Sequence, residues 1–300
     1  MSNTFEVIII GGSYAGLSAG MSLGRALRNT LIIDSGLPCN RQTPHSHNFI
    51  TQDGKTPAAI ASAARAQVQA YDTVSFYAGQ AVSGKKTDEG FEIETQSGES
   101  FIAKKLIFAT GLKDIMPDIS GFAECWGISI LHCPYCHGYE VRHKKTGLLA
   151  NGDMGFHFVQ LISNWTEDLI LFTNGKSTLS VEQTQIIRGH HIEMIEKEIK
   201  SIAHQDGKIQ AVTFHDGSQA SVEAMYARPD FIQSSDIIEK LGCELSEQGL
   251  IKVDNLQRTT VEGVFACGDN CSMRAVSVAV ASGTTAGAAV NHKLCEEEFV

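Results

Sequence analysis

The run Phe5-Glu-Val-Ile-Ile-Ile10 leads directly into Gly11-Gly-Ser-Tyr-Ala-Gly16. A short β-branched apolar run bounded by glycines reads as a central parallel strand, because a strand covered on both faces has no polar face to alternate with. From Ala15 to Ala26 the residues are mostly small, the composition of a helix pressed on a sheet, and Thr30-Leu-Ile-Ile-Asp34 reads as a second strand. Strand, turn, helix and strand within about 30 residues make a βαβ unit. The turn follows the G-x-G-x-x-G pattern with Ser13 at the middle glycine. Gly11 serves the tight turn, Gly16 the close packing of helix on strand, and the helix N-terminus faces a pyrophosphate. Serine at the middle position is still small enough for backbone N–H groups to approach the phosphates. Asp34, 23 residues after Gly11, sits where an acid accepts hydrogen bonds from a ribose. The dinucleotide contacts read from this unit are Gly11, Gly12, Ser13, Ala15, Gly16, Asp34 and Ser35.

The rest of the chain repeats the theme. A helix is expected over Ala58–Tyr71 and strands over Val74–Ala78, Phe91–Thr95 and Lys105–Ala109. A second βαβ unit follows, with a strand at Gly147–Ala150, a helix at Gly155–Trp165 and a strand at Leu169–Phe172. A further helix is expected at Ser234–Leu241, and Gly263-Val-Phe-Ala-Cys-Gly-Asp269 is a strand that opens a long buried helix. The expected fold class is therefore α/β, with two Rossmann-like (three-layer ββα) dinucleotide-binding domains, the second inserted in the first. The first spans 1–116 and 229–300, the second 117–228. The 300 residues suit two domains of ~150 each. A net charge of −10 argues against nucleic acid or an anionic membrane surface as partner. The stretch Met1–Glu6 carries no basic region ahead of an apolar one, and no run approaches the ~18 apolar residues of a membrane helix, so the expected location is the cytoplasm.

Eight cysteines are present. An even count signals a disulfide framework only in a short secreted chain. Cys39, Cys125, Cys243 and Cys295 read as plain thiols, and Cys267 and Cys271 as packing residues. Cys133-Pro-Tyr-Cys136 is different. As a redox pair, Pro134 would take the first position of a short helix and leave Cys133 near its N-terminus, where the dipole favours the thiolate. A zinc half-site would need a second pair of ligands, and no second CxxC or HxxxH exists. Cys-Pro-Tyr-Cys-His is formally a c-type haem attachment sequence, which requires export. Two unreactive thiols are the plain alternative. His132 and His137 flank the pair, and a histidine titrating near neutrality can carry a thiol proton in either direction.

With Leu106-Ile-Phe-Ala-Thr-Gly111 and the Gly-Asp pair at 268–269 added, the chain resembles the flavoproteins with two dinucleotide-binding domains. The resemblance implies FAD, held also by Thr110, Gly111, Gly268 and Asp269, with Arg274, Ala275 and Val276 at the start of a helix aimed at the flavin. It also implies a loop after the first unit that wraps the flavin through Asn40, Arg41, Gln42 and Asn48; His45 and His47 beside it read as solvent-exposed. The context of Cys133-Pro-Tyr-Cys-His-Gly138, from Val7 to about Leu294, is similar to low-molecular-weight thioredoxin reductases. That likeness implies a homodimer acting on a thioredoxin-like protein or a small-molecule disulfide or dithiol. Cys133 would attack the substrate and Cys136 would serve the flavin. His137 stands where those enzymes usually carry an Asp, a feature more similar to the gliotoxin-type dithiol oxidases of the same family. The catalytic set implied is Cys133, Cys136 and His137, with no metal.

The second glycine turn, Ala150-Asn-Gly-Asp-Met-Gly155, lacks the first glycine and carries Asp153 near the expected pyrophosphate. The strand end Leu171–Gly175 offers neither the acid of an NAD site nor the Arg cluster of an NADP site. NADPH as electron donor is thus left open. Two directions of flow follow: a reductase fed by NADPH, or an oxidase that takes electrons from a dithiol and gives them to O₂.

Overall fold

The computed structural model describes residues 3–300. The chain runs β1 (Thr4–Ile10), α1 (Tyr14–Arg25), β2 (Thr30–Asp34), α2 (Pro57–Gln69), β3 (Val74–Ala78), β4 (Ala81–Thr87), β5 (Gly90–Thr95), β6 (Ser100–Phe108) and β7 (Leu112–Asp114). It continues through α3 (Phe122–Cys125), β8 (Ile130–Leu131), α4 (Pro134–His137), β9 (Thr146–Leu149), α5 (Gly152–Ile162), β10 (Leu169–Phe172), α6 (Val181–Gly189) and β11 (Glu193–Ile195). After β12 (Ile199–Gln205), β13 (Lys208–Phe214), β14 (Gln219–Ser221) and β15 (Ala224–Ala227) come β16 (Phe231–Gln233), α7 (Ile237–Lys240), β17 (Val264–Ala266) and α8 (Val276–Glu298).

Two compact units result. One comprises Met1–Arg41, Pro57–Lys113 and Phe231–Val300, the other Gln42–Thr56 and Asp114–Asp230. The second is thus inserted in the first. Sequence alone assigns 42–56 to the first domain. In the structure this segment closes on itself through a Ser46–Lys55 bridge and groups with the second unit, carrying Gln42 and Asn48 with it.

In the first unit β3, β2, β1 and β6 lie in that order as parallel neighbours, with β17 parallel to the end of β6. The hairpin β4–β5 joins β6 antiparallel. β1 and β2 are almost wholly buried, which explains their unbroken apolar sequence. β4 escapes the sequence reading because Ser83, Gly84, Lys85 and Lys86 hide its period; as an edge strand it tolerates lysines. The helix expected over Ser234–Leu241 is only one turn, Ile237–Lys240, and the chain turns away at Gly242 with φ +91°. The long final helix packs its small residues, including Ala279, Gly283, Ala286 and Gly287, against α1.

The second unit has a parallel sheet in the order β11-β10-β9-β15-β8. One face is covered by α5 and α6 through Phe158, Val159, Ile162 and Ile187. The other is covered by the antiparallel β12–β13–β14 through Ile199, Ile202, Val212 and Phe214. This is the three-layer arrangement of a nucleotide-binding domain.

A Cβ placed on Gly283 would lie 2.2 Å from the Ala15 carbonyl oxygen. Ala is the better helix former by about 1 kcal/mol, but this approach leaves it no room. Gly283→Ala is therefore expected to lower stability by about 1–3 kcal/mol in urea unfolding; unchanged or raised stability would refute the close packing of α1 on α8.

Candidate active site

In open parallel sheets ligands gather at the carboxyl ends of the strands. In the first unit four such ends carry the residues singled out above. Gly11, Gly12 and Ser13 follow β1, Asp34 closes β2, Thr110 and Gly111 follow β6, and Gly268 and Asp269 follow β17. Gly11 has φ +106°, and a Cβ there would strike the Ala109 carbonyl oxygen at 2.2 Å. Gly16 is as tight, its Cβ position lying 1.8 Å from the Gly11 oxygen. Asp34 accepts from the Gly12 N–H at 3.1 Å, so the acid and the glycine turn are already locked together. Ser13 is the N-cap of α1 without a side-chain capping bond, and the first turn carries no acid, so backbone N–H groups of that turn remain for an anion.

The loop after β2 also returns to these strand ends. Cys39 Sγ donates to Asp269 at 3.8 Å, Asn40 donates to the Tyr14 hydroxyl at 3.3 Å, and Arg41 donates to the Pro38 carbonyl. Ser35 is exposed beside Asp34. Ala275 is the N-cap of α8, between Arg274 and Val276, and again no acid occupies the first turn. Asn270 is a residue that the sequence patterns do not single out. It is fully buried, its amide donates to the Phe108 carbonyl at 2.9 Å and to the Thr110 hydroxyl at 3.3 Å, and its Oδ1 has no hydrogen-bond partner. An open helix terminus, a ribose-type acid and an orphaned acceptor at one sheet edge fit a dinucleotide. Cys267 and Cys271 beside it are held as thiols: burial pushes Cys267 well up and Cys271 up to about 12.

In the second unit β8 is the edge strand that delivers the cysteine pair. Cys133 is the N-cap of α4, Pro134 its first residue, and His137 ends its single turn. Both thiols are reduced and half-buried, and Cys136 donates to Cys133 at 2.9 Å. That hydrogen bond lowers the Cys133 thiol to about 7, against burial, with help from the Cys136 and Tyr135 backbone N–H groups. Cys133 is therefore poised as a thiolate. His137 is pushed below its ordinary value by burial and by the neighbouring His47, with Glu140 opposing. Tyr226 on β15 packs behind the pair. It is 1% exposed, its hydroxyl is unpartnered, and burial together with Cys133, Glu140 and Cys136 pushes its phenol well above the ordinary range. His47 is half-buried rather than exposed, unlike His45. Neither Tyr226 nor His47 stands in a motif, so their place at the pair is visible only in the fold.

The second glycine turn, at the end of β9, is arranged differently from the first. Asn151 Oδ1 accepts from the Gly152 N–H, the Thr178 N–H and the Thr178 hydroxyl, while its Nδ2 donates to the Thr173 and Lys176 carbonyls. The carboxamide thus stitches the turn to the loop after β10. Asp153 lies in the first turn of α5, fixed by Gln183 at 2.8 Å. Its negative charge is unfavourable for a phosphate there.

Peptide-resolved alkylation of the reduced protein against pH should give Cys133 a midpoint near the lowered value of about 7. Cys136→Ala removes the donor and should move that midpoint up toward the ordinary 9.0. A wild-type midpoint already at the ordinary value would contradict the assignment.

The family model for pyridine nucleotide-disulphide oxidoreductases matches residues 5–283. Thioredoxin reductase tcpT of Claviceps purpurea is 36% identical over 298 residues, covering 95% of this chain and 93% of that protein. Thioredoxin reductase sirT of Leptosphaeria maculans is 31% identical over 306 residues, covering 96% and 93%. The crystal structure of an oxidoreductase from Agrobacterium tumefaciens superposes with a TM-score of 0.91 at 37% identity, covering 98% of this chain and 99% of that one.

Proposed function

The chain belongs to the pyridine nucleotide-disulphide oxidoreductase family, enzymes of thioredoxin reductase type that bind FAD, and on that premise we propose that it runs as a dithiol oxidase. The overall change is R(SH)₂ + O₂ → R(S–S) + H₂O₂, with the Cys133–Cys136 disulfide as the immediate oxidant. The observation that carries this direction is the second glycine turn. A turn stitched shut by Asn151, with Asp153 in the first helical turn, offers poor purchase for the pyrophosphate of NADPH.

The chemistry of the protein's own residues fits that direction. His137, kept neutral by burial, can take the proton of an incoming substrate thiol. The substrate thiolate attacks Cys133 Sγ, the Cys133–Cys136 bond breaks, and Cys136 leaves as a thiolate. The second substrate sulfur then attacks the first, and Cys133 leaves. A thiol lowered to about 7 is a good leaving group, and stabilising the thiolate of the reduced pair makes the disulfide a stronger oxidant. FAD bound in the first unit would supply a two-electron acceptor for the Cys133–Cys136 dithiol and the link to O₂. The residues proposed to hold it are Gly11, Gly12, Ser13, Ala15, Gly16, Asp34, Ser35, Asn40, Arg41, Thr110, Gly111, Gly268, Asp269, Arg274, Ala275 and Val276. Gln42 and Asn48, in the loop that follows Arg41, belong to the same proposed set. The substrate is proposed to be a small-molecule dithiol, the assembly a homodimer and the location the cytoplasm. Among the described residues no helix is long and apolar enough to cross a membrane.

An anaerobic titration of the yellow holoenzyme, followed at the flavin absorbance, tests the direction. Dithiols are expected to bleach it, with H₂O₂ formed on admitting air, while stoichiometric NADPH leaves the colour. Bleaching by NADPH at catalytic speed would show a reductase instead. Cys136→Ser should also abolish any thiolate–flavin charge-transfer band, and a surviving band would reverse the roles of the two cysteines.

A further inference from the structure

The loop 42–56 reaches the redox pair within the second unit. It is pinned by the Ser46–Lys55 bridge and by a hydrogen bond between His45 Nδ1 and the Gly54 carbonyl at 3.0 Å. Its one inward histidine is His47, whose side chain is 19% exposed. Asp53 lies 3.5 Å from His47 Nδ1 and is itself oriented by the Asn48 N–H at 2.8 Å. Glu140 lies 3.6 Å from His47 Nε2. Glu140 belongs to the turn that begins at His137, its N–H donating to the His137 carbonyl at 3.2 Å. One ring is thus held between two carboxylates, one from the loop and one from the cysteine turn.

We propose that His47 is a positioning residue for the redox pair: clamped between Asp53 and Glu140, it acts through its charge on whether His137 holds a proton. The charged groups acting on His137 are His47 from the loop and Glu140 from its own turn, and Glu140 also acts, with the two cysteines, on the Tyr226 phenol of β15. Burial holds Tyr226 neutral, so the charges that bear on His137 are those of His47 and Glu140. A protonated His47 repels a proton on His137, whereas Glu140 attracts one. Deleting the histidine and deleting the carboxylate must therefore move His137 in opposite directions.

This rests on Cys133, Cys136 and His137 acting as the thiol–disulfide centre, and the test separates the two. In the FAD-loaded protein, His137 is followed by NMR titration, assigned with His137→Gln, and by the pH profile of flavin reduction by dithiothreitol. His47→Asn is expected to raise the His137 midpoint by about one pH unit, and Glu140→Gln to lower it by a similar amount. The acid limb of the rate profile should follow each shift. Midpoints that stay put, or that move the same way in both variants, overturn the proposal. If His47→Asn does not fold, His47→Gln takes its place, an unmoved His137 midpoint being the contrary result. A holoenzyme carrying Cys133→Ser and Cys136→Ser that dithiothreitol reduces as fast as the wild type would instead sink the functional reading, while the histidine titration would still judge His47.

Discussion

The hydrogen bond from the Cys136 thiol to Cys133 is the interaction on which the chemistry depends. Burial alone raises a thiol, as it does at Cys267 and Cys271 in the same chain. Cys133 escapes because a donor sulfur lies 2.9 Å away and two backbone N–H groups of the α4 turn point at it. Pro134 contributes by starting the turn at once, which makes Cys133 the N-cap. β8 carries this turn at its carboxyl end, with Leu131 registered against Tyr226 on the neighbouring β15.

The two sheets share a plan and diverge at their glycine turns. After β1, Gly11 and Gly16 bring helix and strand so close that any side chain would collide, and the helix terminus stays open. After β9, Ala150 and Asn151 replace that arrangement with a side chain that satisfies the turn from within. A turn already satisfied has less to gain from a phosphate. That contrast between the two turns is what supports the proposal that electrons enter through the cysteines.

Much of this was legible in sequence. The buried parallel strands and the first glycine turn announce themselves because each has a strict local requirement: β2, β3 and β10 fall where the apolar runs place them. The Cys133–Cys136 turn is equally local. Less legible were the polar edge strand β4 and the antiparallel β12–β14, whose partners rather than their own residues define them. Asn270 and Tyr226 were invisible for the same reason, and His47 was read as solvent-exposed: an orphaned carbonyl, a buried phenol and a clamped imidazole have no sequence signature. The segment 42–56 lies in sequence between elements of the first unit, yet it folds onto the second.

The central claim is that the Cys133–Cys136 pair is an oxidant. It is tested most directly by equilibrating the protein with graded reduced and oxidised glutathione and quantifying the Cys133–Cys136 disulfide by mass spectrometry. Thiolate stabilisation at Cys133 predicts a potential less negative than about −200 mV, toward the strongly oxidising end of known dithiol pairs. A potential at or below about −270 mV, that of a reducing thioredoxin, would contradict it.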